Sequence, residues 1–473
     1  MSENKYAKLI KNTTILFIAN FGTQVLSFLL VPLYTYALTT QQYGDVDIIT
    51  TTSSIAMSIV TLSIFEATLR FSMDENANRK SIFTISVAIT LLGTLAIIPF
   101  IPLLSVIDSI GNYALLFWLV LFANSFYLTL SLYCRGNGYV TRFAIAGVFS
   151  TLTLALSNIL LLLVCKLGVS GYLISMALGY LVPSLFLIVS CKLWKCLGSI
   201  DKTQLKEMVR YSIPMIPNSL AWLIISISDK YILKYFWGSS YNGLYVVAQK
   251  IPALITVIST IFIQSWQLSA VSEARSEDRG QFFSNIINSL IPFLFGLTIL
   301  ATAIIKPLFA IWLEKSYFEA WKYATILMVA NCFSCFSNFV SVNFIAMKNT
   351  SGNMKITLLG GLVNLVLNFI FIPHFGIMAA SITTVISFAV TWLVGMYSTR
   401  EFIHLDINWT KTLITLVIII VQYLCLYLSY GLYLQPLFII AAIILYFREL
   451  KLGLLFIKDI VFRHLIKRNA ACK

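Results

Sequence analysis

Apolar stretches of about 20 residues recur along the whole chain, and short polar segments separate them. A helix rises about 1.5 Å per residue, so each stretch is long enough to cross the roughly 30 Å hydrocarbon core of a bilayer. The pattern therefore predicts an all-α polytopic membrane protein with about fourteen transmembrane helices. The spans are expected near residues 12–37, 44–70, 82–105, 113–134, 142–165, 169–191, 211–236, 243–269, 284–306, 320–347, 355–372, 376–397, 411–430 and 432–447.

The distribution of lysine and arginine over the predicted loops sets the orientation. With the N-terminus in the cytoplasm, 26 of the 33 basic residues fall on the cytoplasmic side. The positive-inside rule therefore predicts that both termini are cytoplasmic. The first apolar run is too long for the core of a signal peptide, so we expect it to be the first span. The basic, apolar tail at 448–468 is expected to lie on the inner leaflet as an amphipathic helix.

Composition narrows the class of protein further. Hydrophobic residues make up 59% of the chain and charged residues 11%, against about 25% charged in a typical soluble domain. The net charge of +14 would suggest nucleic acid as the partner of a soluble protein. Here the basic cytoplasmic loops account for it, so no nucleic acid is expected. Cys332 and Cys335 form a CxxC pair without further ligands nearby, so we expect neither a metal site nor a cofactor.

An internal repeat relates the two halves of the chain. A shift of 199 residues aligns the first two predicted spans with the seventh and eighth without gaps, so that Tyr36 matches Tyr235 and Gly44 matches Gly243. Each repeat holds six spans, an even number, so both halves enter the membrane from the same side, as in a parallel repeat. This is the architecture of an alternating-access transporter. The expected domains are a six-helix lobe over 1–197, a second six-helix lobe over 198–397, and two extra helices with the basic tail over 398–473.

Charged residues interrupt the seventh and eighth predicted spans at Asp229, Lys230, Lys234 and Lys250. Asp229 and Lys250 each lie about ten residues from the turn expected near 239–240, which puts them at one depth. The two residues are therefore predicted to form an ion pair that reduces the cost of burying both charges. The matching positions of the first half carry no charge. We expect this layer to line a cleft in which Lys230 and Lys250 bind an anion. The alternative is that Asp229 and Lys250 only hold the hairpin together.

Other polar residues in the predicted spans are weaker candidates for substrate binding. Glu66 and Arg70 lie one helical turn apart and are expected to pair on one face. Arg70 then either anchors the cytoplasmic end of its helix or meets phosphate at the cytoplasmic mouth. Asn338 in the tenth span, and Asn364 and Asn368 in the eleventh, need polar partners inside the membrane, so they either pack between helices or face a sugar.

Four stretches of the chain resemble segments of Wzx-type polysaccharide flippases of the multidrug/oligosaccharidyl-lipid/polysaccharide exporter superfamily: SDKYILKYFWGSSYNGLYVVAQKI (228–251), ALTTQQYGDVDI (37–48), FEATLRF (65–71) and FGIMAASITTVIS (375–387). The resemblance extends over about residues 8–397 and implies two lobes that rock between two states. It implies a substrate of undecaprenyl-pyrophosphate-linked oligosaccharide, such as an O-antigen repeat unit, moved across the bacterial inner membrane. It also implies a cationic cleft, which Lys230, Lys250 and Arg70 fit.

The resemblance leaves other functions open. The expected partners are the lipid-linked oligosaccharide, membrane lipids, a coupling proton or sodium ion, and the polysaccharide polymerase machinery. A multidrug antiporter of the same superfamily and a flippase for a lipid-linked peptidoglycan precursor are the alternatives, and a membrane polysaccharide polymerase is a remote one. Lysines outnumber the acid in the charged layer, which argues against cationic drugs. The longest expected external loop, about 306–320, has only Glu314 and Glu319 as acids, so we expect a transporter and not an enzyme.

Overall fold

The computed structural model describes residue 22 and residues 25–74, 78–104, 109–273, 278–347 and 350–447, and these residues form helices and no strand. The main helices are α1 (Val25–Ala37), α2 (Thr40–Val60), α3 (Ile64–Ser72), α4 (Arg79–Ala96), α5 (Ala114–Gly136), α6 (Val140–Asn158), α7 (Gly168–Cys191), α8 (Lys202–Ser212), α9 (Met215–Trp237), α10 (Ser239–Ala248), α11 (Lys250–Glu273), α12 (Arg279–Trp312), α13 (Trp321–Ala346), α14 (Thr350–Thr399), α15 (Trp409–Cys425) and α16 (Gly431–Leu445). A π-helical segment, Ile159–Val164, continues α6.

The predicted fold class is confirmed. Among the described residues, seven helical segments are long and apolar enough to cross a membrane, and the bent pairs α2–α3 and α10–α11 raise the number to nine. Shorter apolar helices occur at α1, α15 and α16. Each of the fourteen predicted spans overlaps a helix or a broken pair of helices in the described part of the chain. The amphipathic tail at 448–468 and the beginning of the first span lie outside the described residues.

The second predicted span was expected to be continuous but is broken. Between α2 and α3 the axis bends by 64°, and Leu62 and Ser63 adopt left-handed backbone angles, with φ of 51° and 49°. Such angles are uncommon for residues other than glycine. Hydroxyl groups add bonds to carbonyl oxygens that also accept backbone N–H groups at the bend. Met57 accepts from the N–H of Thr61 at 3.0 Å and from Thr61 Oγ1 at 2.7 Å. Ser58 accepts from the N–H of Ser63 at 2.9 Å and from Ser63 Oγ at 3.1 Å. Bonds of this kind commonly accompany bends in helices.

At two other places, consecutive helices are joined by a single glycine, with a shorter connection than the sequence predicts. The turn expected at 239–240 is formed by Gly238 alone, whose φ of 87° lets α9 end at Trp237 and α10 begin at Ser239. Helix α14 covers two predicted spans and is interrupted at Gly376, with φ of 55° and ψ of −132°. Both glycines adopt angles that a side chain would disfavour, so each marks a point where the chain changes direction.

Packing divides the chain into two compact units. The first comprises the described residues up to Val257 together with 313–320 and 361–383. One of its apolar clusters includes Ile64, Ile82 and Leu130 from α3, α4 and α5. Another is formed by residues of α2, α5 and α7. The six-helix lobes divided at residues 197 and 198 stay a prediction.

The second unit comprises 258–312, 321–360 and the described residues from 384 onward. Its interior is aromatic, and the ring centre of Phe336 lies 5.5 Å from that of Phe295 and 5.4 Å from that of Trp392. The added helices α15 and α16 are tied to this unit by buried polar groups. Gln422 Nε2 donates to the carbonyl oxygen of Ile299 and to Gln435 Oε1, each at 2.9 Å.

Candidate functional site

Helices α2 and α10, both in the first compact unit, approach each other closely enough to bring polar side chains from the two halves of the sequence together. Helix α2 begins with a capping box, in which Thr39 and Gln42 satisfy each other's backbone N–H groups. One turn later Gly44 packs against α10, where Gly243 takes the corresponding place. The absence of side chains at both positions allows the backbones to touch.

A salt bridge crosses between the halves at this contact. Lys230 Nζ on α9 donates to Asp47 Oδ1 on α2 at 2.9 Å, and the two side chains are only 15% and 13% exposed. Asn242 on α10 supports the acid, since its Nδ2 donates to Asp47 Oδ2 at 3.3 Å and to the carbonyl oxygen of Gly44 at 3.1 Å. The charge of Lys230 is therefore neutralised by a residue 183 positions earlier in the chain.

The predicted ion pair between Asp229 and Lys250 is wrong. Asp229 is 7% exposed and accepts hydrogen bonds from the Tyr245 hydroxyl and, at 3.0 Å, from the backbone N–H of Lys230. Similar depth along a hairpin does not determine the direction in which a side chain points around its helix. The acid that pairs with a lysine here is Asp47 of the second predicted span, which was not among the predicted site residues.

Lys250 differs from the other lysines of the layer. It is half-buried, and it has no hydrogen-bond or salt-bridge partner among the described residues. Its ammonium lies 5.9 Å from the centre of the Tyr43 ring. Tyr43 is buried within a group of tyrosines, and its ring centre lies 5.9 Å from that of Tyr34, 6.4 Å from that of Tyr172 and 6.3 Å from that of Tyr317. The aromatic face provides partial compensation for the charge through a cation–π contact.

A second polar chain runs beside the salt bridge. Lys234 Nζ donates to Ser109 Oγ, and Ser109 Oγ donates to Asp45 Oδ1. Asp45 Oδ1 also accepts from Ser239 Oγ, the first residue of α10, at 2.6 Å. This chain links the lysine of α9 to the acid of α2 through a hydroxyl.

The predicted pair of Glu66 and Arg70 is also wrong. Arg70 has acids one turn away on either side, and its Nη1 lies 2.5 Å from Asp74 Oδ1. Both side chains are about half exposed, at 55% and 49%, so solvent weakens the pair. Glu66 is half-buried in the first turn of α3.

The three asparagines predicted to bind substrate fall into two groups. In the first unit, Asn368 is fully buried, donates to Asn364 Oδ1 at 2.9 Å and accepts from Thr383 Oγ1 at 2.5 Å. These bonds match the packing alternative for Asn364 and Asn368. Asn338, in the second unit, is exposed on α13. A role in substrate binding stays a prediction for all three.

The layer contains as many acids as lysines. Asp45 and Asp47 join Asp229, and they balance Lys230, Lys234 and Lys250. The argument that lysines outnumber the acid therefore no longer holds. Asp45 and Asp47 were detectable as charges within an apolar run of the second predicted span. No group of three or more histidine, cysteine, aspartate or glutamate side chains in the described ranges is placed to hold a metal ion.

The sequence of this chain is similar to one protein family and to a curated flippase. The protein family described as "Polysaccharide biosynthesis protein" matches residues 9–267. A curated relative, "Probable low-salt glycan biosynthesis flippase Agl15" from Haloferax volcanii, is 26% identical over 260 residues, which are 51% of this chain and 53% of the relative. The chain thus matches about half the length of that relative.

Solved structures share the fold. The "Lipid II flippase MurJ, inward closed conformation" superposes with a TM-score of 0.69 at 16% identity, and the match covers 95% of this chain and all of that one. An inward-facing multidrug resistance MATE family transporter of the MOP superfamily gives a TM-score of 0.61 at 15% identity, covering 80% and 94% of the two chains. The resemblance to polysaccharide flippases is confirmed.

Proposed function

Because the chain belongs to the family described as polysaccharide biosynthesis protein, we propose that it is a flippase for a lipid-linked oligosaccharide. The substrate is undecaprenyl-pyrophosphate linked to an O-antigen repeat unit or a similar surface glycan, and it crosses the bacterial inner membrane by alternating access. The glycan flippase among the relatives and the transporter folds among the solved structures support a transporter and not an enzyme. Cytoplasmic termini, ion coupling and cooperation with a polymerase belong to the same proposal.

The observation that best supports this function is the environment of Lys250. The ammonium groups of Lys230 and Lys234 already have oxygen partners, whereas Lys250 has none among the described residues. A partly buried charge without a partner is costly. A pyrophosphate oxygen supplies the missing partner through a charge-assisted hydrogen bond, so a bound anion stabilises the site. In this proposal, the phosphate-binding role expected of Lys230 and Arg70 belongs first to Lys250, because the other two are paired with aspartates.

The test is surface glycan in the native host after deletion of the chromosomal copy. Lys250→Gln removes the charge and should abolish surface polysaccharide at normal membrane abundance, measured by immunoblot. Lys250→Arg keeps the charge with a different shape and should retain part of the activity. Lys355→Gln is the matched control, because Lys355 is exposed and lies outside the layer. Full surface polysaccharide from Lys250→Gln would refute the proposed role of this lysine.

The aspartates of the layer favour one alternative, a multidrug antiporter. Asp45, Asp47 and Asp229 offer carboxylates that a cationic drug binds, and the inward-facing MATE transporter shares the fold. Expression of the chain in a drug-sensitive strain distinguishes the two functions. Resistance to ethidium that depends on Asp229, without any effect of deletion on surface polysaccharide, would support the antiporter. Rescue of a strain depleted of its peptidoglycan precursor flippase would support that third function.

A further inference from the structure

A polar cavity of about 120 Å³ lies inside the first compact unit, away from the salt bridges of the layer. It is enclosed by α2, α5 and α7, and it is open on one side. Most of its lining is hydroxyl and amide groups, from Thr50, Thr51, Ser53, Ser54, Asn124 and Tyr180. The described lining contains no acid and no base, so this cavity has a different chemistry from the charged layer.

Several of these groups have no hydrogen-bond partner among the residues that the structure describes. Ser53 is 1% exposed, and its hydroxyl forms no hydrogen bond. The side chains of Thr51, Asn124 and Tyr180 likewise form none within the described part of the chain. A buried polar group that loses water without gaining a partner destabilises the fold by about 1–3 kcal/mol. Ser53 is such a group, while Thr51, Asn124 and Tyr180 are half-buried polar groups without a hydrogen-bond partner in the described part of the chain, so the cavity is suited to a polar ligand.

The other hydroxyls are available as acceptors. Thr50 Oγ1 donates to the carbonyl oxygen of Asp47 at 3.0 Å, and Ser54 Oγ donates to that of Thr50 at 3.0 Å. Each uses its single proton in its own helix and keeps lone pairs to accept a bond from a ligand. Together with the amide of Asn124, the cavity offers both donors and acceptors. That mixture matches a ligand with many hydroxyl groups, since each hydroxyl both donates and accepts.

The size and the remaining lining select among neutral ligands. An engineered apolar cavity of about 150 Å³ holds one benzene molecule. This cavity, of about 120 Å³, is smaller but open on one side, so it accommodates part of a single six-membered ring while the remaining substituents lie outside the opening. Val120 and Met176 add apolar surface to the lining. A pyranose has apolar C–H groups on its faces and hydroxyls around its edge. The C–H groups match the apolar side chains of the lining, and the hydroxyls match its polar side chains. A metal cation fits less well, because no carboxylate in the lining would neutralise its charge.

The cavity also lies at a suitable distance from the charged layer. Thr51 follows Asp47 by four residues on α2, which corresponds to about 6 Å along the helix axis. Asp47 in turn holds Lys230 at 2.9 Å. In a lipid-linked glycan, the first sugar is bonded directly to the phosphate. A phosphate bound at the layer would therefore bring a neighbouring sugar within reach of this cavity.

We propose that this cavity binds one uncharged sugar ring of the transported glycan, an inference that rests on the proposed function. The layer and the cavity then recognise different parts of one molecule: Lys250 binds the phosphate, and the hydroxyls and Asn124 bind a sugar. This division gives the protein a means of distinguishing glycans that have the same lipid and phosphate groups. Specificity arises because a ring that leaves the cavity's polar groups unpaired binds less well.

The test is binding of free sugars to the full-length chain in lipid nanodiscs, measured by saturation-transfer NMR with glucose, galactose, N-acetylglucosamine and rhamnose. Wild-type protein should transfer saturation to at least one of them. Thr51→Val and Asn124→Leu should each weaken binding about tenfold, equivalent to about 1.4 kcal/mol. Thr52→Val is the matched control, because Thr52 is the next residue on the same helix and its hydroxyl bonds to Tyr231 at 2.7 Å, outside the cavity.

Three results would overturn the proposal. The first is no saturation transfer to any of the four sugars, and the second is equal sugar binding by wild type and both cavity variants. The third is a sodium site: sodium chloride, but not choline chloride, stabilises the wild type, and the two cavity variants lose this stabilisation. The surface-glycan assay separates this proposal from the proposed function. Export that survives Thr51→Val and Asn124→Leu but not Lys250→Gln refutes only the sugar site. If the protein binds sugar at the cavity but deletion of its gene leaves surface glycan unchanged, the flippase function is refuted and the sugar site is not.

Discussion

Gly44 and Gly243 contact each other's helix reciprocally. A methyl group on Gly44 would lie 1.9 Å from the carbonyl oxygen of Ser239, and one on Gly243 would lie 2.0 Å from that of Thr40. Both pairs of equivalent residues, Thr40 with Ser239 and Gly44 with Gly243, are separated by the 199 residues of the sequence repeat. Reciprocal contacts of this kind are the mark of a two-fold relation. The weak sequence repeat thus has a structural counterpart at the point where α2 meets α10.

We expect alanine at either glycine to destabilise the protein. The added methyl overlaps backbone oxygen, which cannot rotate away as a side chain can, so the helices must separate at a cost of about 1–3 kcal/mol. Thermal unfolding of the detergent-solubilised protein measures the effect. Gly296→Ala is the control, because nothing lies within 4 Å of an added methyl there. Equal melting temperatures for Gly44→Ala and Gly296→Ala would contradict the close contact.

The Asp47–Lys230 salt bridge predicts a strong energetic coupling. Asp47→Leu or Lys230→Met alone leaves one largely buried charge unpaired, which typically costs about 3–5 kcal/mol. The double variant removes both charges and should recover most of the stability. A double-mutant cycle on thermal or denaturant unfolding measures the coupling.

The exposed pair of Arg70 and Asp74 provides the comparison for this cycle. Both of its side chains are about half exposed, so Arg70→Gln should leave unfolding unchanged within error. Additive effects of Asp47→Leu and Lys230→Met would show that the two residues do not interact in the membrane. The ion pair expected from the sequence, between Asp229 and Lys250, would instead predict coupling between those two residues.

The helices could be predicted from sequence because hydrophobic length is a local property. All fourteen predicted spans overlap helices in the described residues, and the shortest one, at 432–447, corresponds to α16. The breaks were missed where no proline or glycine marks them. Leu62 and Ser63 adopt left-handed angles at the bend between α2 and α3, although neither is a residue type that usually favours such angles.

The site was predicted only in part, because the partner of a charged side chain depends on which faces of two helices contact each other. Lys230 and Lys250 were identified as charges that need an explanation within an apolar stretch. Their partners were not, since Asp47 lies 183 residues before Lys230, and spacing along one hairpin gives depth without direction. The contact between Gly44 and Gly243 supplies the missing direction by placing α2 against α10.

Orientation in the membrane follows from the basic residues and stays a prediction that thiol labelling tests. In a background with the eight native cysteines replaced by serine, Ser316→Cys lies in the short 3₁₀ helix Lys315–Ala320 between α12 and α13 and should react with an impermeant maleimide added outside. Lys202→Cys, at the start of α8, should react only after the membrane is opened. Both positions are exposed in the structure, so accessibility to water does not differ between them. The opposite labelling pattern would refute cytoplasmic termini.

Asn368 separates a structural role from a substrate-binding one. It is fully buried and bonded to Asn364 and Thr383, so its polar groups have partners without any ligand. Asn368→Leu removes these bonds and leaves Asn364 Oδ1 without its donor, and the unpaired buried acceptor should lower stability by about 1–3 kcal/mol. Surface polysaccharide per folded molecule should stay near the wild-type level, because the network does not need the sugar. The measurements are the melting temperature of the purified variant and surface glycan normalised to membrane abundance. Unchanged stability with lost export would assign Asn368 to substrate binding instead.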